Sequence, residues 1–161
     1  MKKATRFRLA AGALVLLCAM EVNAETNVTV VTSDSMDFDY SRRIAEFRGN
    51  VVVVSPSSRL ESDGLNVIFT EEQKVRSVSA VGNVELTRGE ISARCERAIY
   101  SGEKGRVLLM GRARVRRPGD ELSADEIELG MQGGELEVVK AEGNARLTYS
   151  SGEAGFSLDE M

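Results

Sequence analysis

Three closely spaced aspartates, Asp34, Asp37 and Asp39, a cysteine at position 95, and the arginines Arg106, Arg112, Arg114, Arg116 and Arg117 are the side chains best suited to chemistry. Grouped carboxylates can hold a cation or share a proton, but their near-alternate spacing beside a strand reads as a polar outer face. Cys95 would need a base to become a nucleophile, and the chain has no histidine, so it reads as a small buried residue. Arg112, Arg114 and Arg116 share one strand face and could meet phosphates or an acidic partner. The simpler reading of that face is a solvated one balanced by nearby Glu. No Gly-x-x-x-x-Gly-Lys-Ser/Thr loop occurs and no acid–base pair stands out, so an enzyme is not expected. The lack of histidine, with one thiol beyond residue 24, argues against zinc and copper sites, and no cofactor is implied.

The elements that position these residues are repeated. Gly49-Asn50-Val51, Gly82-Asn83-Val84, Gly111-Arg112-Ala113 and Gly143-Asn144-Ala145 recur at intervals of 33, 29 and 32 residues, each after a short alternating run. A period of this size marks stacked β units. The two prolines, Pro56 and Pro118, and turn signals such as Ser62-Asp63-Gly64, Thr87-Arg88-Gly89, Ser101-Gly102 and Gly133-Gly134 break the alternation, and no apolar period of helical type appears. The spacing predicts an all-β, antiparallel chain of about fifteen short strands.

Side chains of a strand alternate faces, so parity around each glycine assigns an apolar side. Ala45, Phe47, Val51 and Val53 share it with Val78, Ala80, Val84 and Leu86, with Val107, Leu109, Ala113 and Val115, and with Val139, Ala141, Ala145 and Leu147. The other parity is mostly polar, with Val52, Val54, Leu108 and Met110 as exceptions. A second element follows each of the first three glycines: Leu60 to Val67, Ile91 to Ala98 and Leu122 to Leu129. Within it the apolar parity flips, from Leu60 to Leu65 and Val67 and from Leu122 to Ile127 and Leu129. Such a flip marks a bulge where the strand turns from one wall into another. The expected result is an open trough with two walls. Gly-Asn inside it is either a bulge needing positive φ or an ordinary hairpin turn.

At the N-terminus, Lys2, Lys3, Arg6 and Arg8 precede twelve apolar residues, Leu9 to Met20, then Glu21 and Val22-Asn23-Ala24. This reads as a signal peptide over 1–24, since a membrane-spanning helix needs ~20 apolar residues. Leu17 before Cys18 is too large for a lipoprotein signal. Residues 25–161 are then one exported domain. Loss of those four bases and one acid leaves 17 Lys+Arg of 21 and 24 Asp+Glu of 25, a formal charge of −7, which argues against nucleic-acid binding.

Repeats of the form Ala-x-Phe-x-Gly-Asn-Val-x-Val followed by Leu-x-Ser/Ala-Asp-x-Leu/Ile-x-Val/Leu resemble the OstA-like domain of lipopolysaccharide-transport proteins. Residues 45–53 with 60–67 match best, and looser copies extend the likeness over about 28–149. A cleavable signal is similar to the free periplasmic members of LptA type; a leader retained as a signal-anchor would instead resemble the LptC-like members, which keep a membrane anchor. The resemblance implies a V-shaped β-jellyroll whose apolar groove shelters the acyl chains of lipopolysaccharide, head-to-tail homo-oligomers, and docking through strand edges to LptC-like and LptD-like proteins. The groove residues it implies are Ala45, Phe47, Val51, Val53, Leu65, Val67, Phe69, Val78, Val84, Leu86, Ile91, Val107, Leu109, Val115, Leu122, Ile127, Leu129, Val139 and Leu147. In the middle copy Arg94 replaces the motif aspartate and Glu96 stands where Leu65 and Ile127 stand elsewhere, so Glu96 either interrupts the apolar wall or sits on a local bulge. Few large aromatics (no Trp, five Phe, three Tyr) leave room between walls lined by Val, Ala and Leu. A packed β-repeat scaffold without lipid accounts for the same apolar face.

Overall fold

The computed structural model describes residues 28–130 and 136–150 with their side chains, and 5–9, 131, 132 and 135 as backbone. The expected leader residues Lys2, Lys3, Cys18, Glu21 and Val22-Asn23-Ala24, the Gly133-Gly134 turn and the tail around Gly155–Leu158 lie outside them.

Among the described residues eleven strands form one antiparallel sheet: β1 (Thr5–Leu9), β2 (Thr29–Ser33), β3 (Ser35–Asp39), β4 (Ile44–Ser55), β5 (Ser58–Phe69), β6 (Val75–Arg88), β7 (Ile91–Ser101), β8 (Arg106–Arg117), β9 (Asp120–Gln132), β10 (Glu135–Glu142) and β11 (Arg146–Tyr149). Strands β4 to β9 pair with their sequence neighbours; β2 and β3 both pair with β4, and β10 and β11 both with β9. The expected fifteen short strands are therefore fewer and longer. Gly49, Gly82 and Gly111 do not end strands: β4, β6 and β8 run for 12, 14 and 12 residues straight through them.

Each long strand is nonetheless interrupted in register at its middle. Between β6 and β7 the pairs Val81↔Arg97 and Val84↔Cys95 leave Gly82-Asn83 opposite Glu96 alone, and β8 against β9 repeats this at Gly111-Arg112 opposite Asp125. Two residues opposing one is a bulge, and it bends the strand. β2 with β3, and β10 with β11, are the end strands broken at the same level, at Asp34 and at Gly143-Asn144. The sheet therefore has two arms meeting along one fold line: one carries β3 and β10, the other β2 and β11.

The strands crossing that line alternate between two types. In β4, β6 and β8 the inward residues step by four, from Phe47 to Val51, Ala80 to Val84 and Leu109 to Ala113; in β5, β7 and β9 they step by three, from Ser62 to Leu65, Cys95 to Ala98 and Ala124 to Ile127. The first step preserves parity and the second flips it, as the sequence pattern requires.

One face of this sheet is nearly dry, with Val53, Val67, Leu109 and Ile127 at 0% exposure. A single sheet cannot exclude water from a face by itself. No second layer exists among the described residues, so the two arms cover each other. The sheet stays unclosed, because no pairing joins β1 or β2 to β10 or β11.

Candidate functional site

The inner face is built of cross-strand rows. In the β2–β11 arm, Val31, Val53, Leu60, Leu86, Ala93, Val115, Leu122 and Leu147 are successive register partners. In the β3–β10 arm, one row runs Met36, Phe47, Leu65, Ala80, Ala98, Leu109, Ile127, Ala141 and the next Phe38, Ala45, Val67, Val78, Tyr100, Val107, Leu129, Val138. Partners in register lie on the same face, so each row is a continuous apolar line through the whole stack.

Fourteen of the expected groove residues are buried in these rows or beside them: Ala45, Phe47, Val51, Val53, Leu65, Val67, Val78, Val84, Leu86, Val107, Leu109, Val115, Ile127 and Leu129. Phe69, Ile91 and Leu122 are half-buried and pack on that core. Two expectations need correction. Val139 does not face inward: a register shift between Val138 and Lys140 gives the inner position to Val138, and the Val139 side chain lies over Gly130 on the outer face, 49% exposed. Leu147 has the expected parity, but no strand among the described residues covers it beyond β11, and it is 63% exposed. Among the described residues the inner face is thus exposed at its β11 end. Val31 and Tyr100, outside the repeated motif, were not anticipated as inner residues. Two residues from the inward Ala98, Tyr100 was marked only by strand alternation; its burial raises its phenol pKa.

The walls touch rather than gape. An open trough was expected, yet the small side chains have drawn the arms together until most inner residues are fully buried. The described clefts lie on the outer face, one of about 480 Å³ lined by Asn83, Glu85, Arg94, Glu96, Arg112 and Arg114 among others.

The fold line carries a motif absent from the sequence alignment. Asn50, Asn83 and Asn144 donate their side-chain amides to Asp34, Asp63 and Asp125 at 3.0, 2.9 and 2.9 Å, and Arg112 donates Nε to Glu96 at 2.9 Å. Each carboxylate lies against the preceding glycine so closely that a Cβ at Gly49, Gly82, Gly111 or Gly143 would collide with it. The glycine and the residue after it all have positive φ, from 47° to 80°. That resolves the Gly-Asn alternative in favour of a bulge. It also corrects the alignment: the equivalent of Asp63 and Asp125 is Glu96, not Arg94, and the longer acid is matched by the longer Arg112. Glu96 therefore leaves the apolar wall intact, since its side chain points outward and the inner face passes through Cys95 and Ala98.

Cys95 occupies the buried position filled by Ser33 and Ser62, whose hydroxyls donate to the carbonyls of Ser35 and Gly64 at 2.9 and 3.0 Å. Burial pushes its thiol up to about 11, which leaves it protonated and inert at neutral pH. The aspartates are divided in their roles. Asp34 clasps Gly49-Asn50, Asp37 pairs with Arg48 at 2.7 Å, and Asp39 accepts from the Ser41 hydroxyl and the Ser41 and Arg42 amides. Those bonds, with the Ser41 hydroxyl first, hold Asp39 below its ordinary pKa. Among the described residues no group of His, Cys, Asp or Glu is arranged to hold a metal.

An unclosed antiparallel sheet folded on its own apolar face, with bulges along the fold, is an open β-jellyroll. The profile of the family described as "LptA/(LptD N-terminal domain) LPS transport protein" matches residues 30–135, and the chain belongs to that family. Among solved structures it is similar to LptH, the LptA homologous periplasmic component of the lipopolysaccharide transport device of Pseudomonas aeruginosa, with a TM-score of 0.65, 19% identity, and coverage of 76% of this chain and 94% of that one. No curated protein matches it significantly in sequence.

Proposed function

We propose that this chain is a periplasmic, non-enzymatic carrier that shelters the acyl chains of lipopolysaccharide between its arms and bridges inner- and outer-membrane transport complexes. The observation that carries this reading is the set of apolar rows running unbroken through the stack and emerging at Val138 and Leu147. Burying a methylene is worth ~0.8 kcal/mol, so a chain of about twelve carbons is worth on the order of 10 kcal/mol. Transfer of such a lipid through water is prohibitive, whereas transfer between similar apolar faces is close to neutral. Cargo entry requires the arms to part, exchanging contacts between walls for contacts with lipid. Directional work then comes from an ATP-driven partner elsewhere. No helix among the described residues is long and apolar enough to cross a membrane.

Removal of residues 1–24 as a signal peptide would take β1 away and bare the β2 edge; β10 and β11 are the edges at the other end. Bare edges accept strands, which supports head-to-tail copies and docking of LptC-like and LptD-like domains. The tightly packed inner face favours a second reading, a lipid-free envelope scaffold. Photo-crosslinkers at Val53, Leu86 and Leu109, with outward Glu46 and Glu128 on the β3–β10 arm as controls, separate the two. Adducts with lipopolysaccharide from the inner positions alone are expected; their absence in cells active in export would exclude the carrier.

A further inference from the structure

The outer face of the β2–β11 arm carries a charge arrangement that the carrier reading does not use. Two adjacent cross-strand rows run Glu85, Arg94, Arg114, Ser123, Arg146 and Thr87, Ser92, Arg116, Glu121, Thr148. Opposite charges meet at most charged positions: Arg94 reaches Glu85 at 3.0 Å, and Arg116 binds Glu121 through two nitrogens at 2.9 and 2.6 Å. Arg94 and Arg114, however, are direct partners, and like charges placed opposite each other weaken a sheet. Glu121 must also serve Arg114, at 3.4 Å. Four guanidiniums in these rows thus share two carboxylates, in a chain whose formal charge is −4. Ser92, Arg94, Arg114 and Arg116 line a depression of about 110 Å³, and the larger outer cleft adjoins it through Arg94 and Arg114.

We propose that this depression is a binding site for a phosphate group, with Arg94, Arg114 and Arg116 as its cationic donors and Ser92 as its hydroxyl. A tetrahedral dianion would insert between the two facing arginines and relieve their repulsion. Planar guanidinium forks match its oxygens. Arg116 lies one residue from the end of β8, beside the β8–β9 connection at the tip of the arm, so the headgroup of an amphiphile held between the arms can reach the site over that rim. A soluble phosphate can reach it directly. For the lipid source only, the inference rests on the carrier reading.

Inorganic pyrophosphate, titrated into the protein at fixed ionic strength, should shift the Nε–Hε NMR signals of Arg94, Arg114 and Arg116 while that of Arg106, on the other arm, stays still. The R94Q/R114Q variant should bind it about tenfold more weakly, as expected for loss of charge-assisted hydrogen bonds. These positions are exposed, so folding is retained, which thermal melting checks. Unmoved signals, or equal movement at Arg106, would overturn the site. Binding of bisphosphorylated and enzymatically dephosphorylated lipid A then identifies the source. A tenfold loss in the variant confined to the phosphorylated form supports a lipid headgroup, and a loss confined to pyrophosphate supports a soluble ligand. Leu147→Asp should weaken lipid A without altering the pyrophosphate shifts. If lipid A binds neither protein, the carrier reading fails while the pyrophosphate result still decides the site.

Discussion

Asn83 donates its side-chain amide to Asp63 at 2.9 Å across the fold line, and the carboxylate it grips occupies the space where a Cβ on Gly82 would stand. Three groups are thereby locked to one another: the acid fills the glycine's missing side chain, the glycine's positive φ brings the amide into place, and the amide holds the acid. Four such clasps, in register, turn a flat sheet into a folded one.

Gly82→Ala should lower stability by about 1–3 kcal/mol, through a strained φ of 80° and the collision with Asp63. Adding Asp63→Ala removes the collision but not the strain, so the double variant should recover only part of the loss. Urea denaturation of the two variants decides it; full recovery would mean that the φ is not costly here.

The Glu96–Arg112 clasp should be exchangeable as a unit. Glu96→Asp or Arg112→Asn alone shortens one arm of a 2.7–2.9 Å contact, while both together rebuild the Asp–Asn form used at the other three sites. Both side chains are largely exposed, so a coupling below ~1 kcal/mol is expected from a double-mutant cycle. Strict additivity would show that the pair is not a clasp.

Leu109 is fully buried in the middle of its row, and Leu109→Ala should cost about 2–5 kcal/mol. Leu147→Ser, at the uncovered end, should change the melting transition little, within about 0.5 kcal/mol of the parent. Comparable losses at both sites would mean that the end of the stack is covered in solution.

Cys95 predicts an alkaline weakness. Its thiol titrates near 9.0 when exposed and at about 11 when folded, so between those values the unfolded chain ionises first. The contribution of the buried thiol is intact below pH 9 and is lost as pH rises toward 11. Cys95→Ala should therefore lose less stability than the parent over that window, as read from urea midpoints at several pH values. Equal losses would place the cause elsewhere, with Tyr100, whose pKa is also raised by burial, the next residue to replace.

Sequence alone determined the all-β class, the repeat and the inward face, because alternation is a local consequence of strand geometry. The fourfold step at Phe47–Val51 and the threefold step at Ser62–Leu65 were both legible as parity kept and parity flipped. Pairing across strands was not. Glu96 could be matched to Asp63 only through what each one grips, and an alignment by spacing placed Arg94 there instead. Val139 failed for the same reason: one bulge against β9 handed its inner position to Val138. Whether the walls enclose space or close on one another depends on side chains from two arms meeting face to face. Only the tertiary structure decides that, because it is a sum over partners distant along the chain and is written in no single repeat.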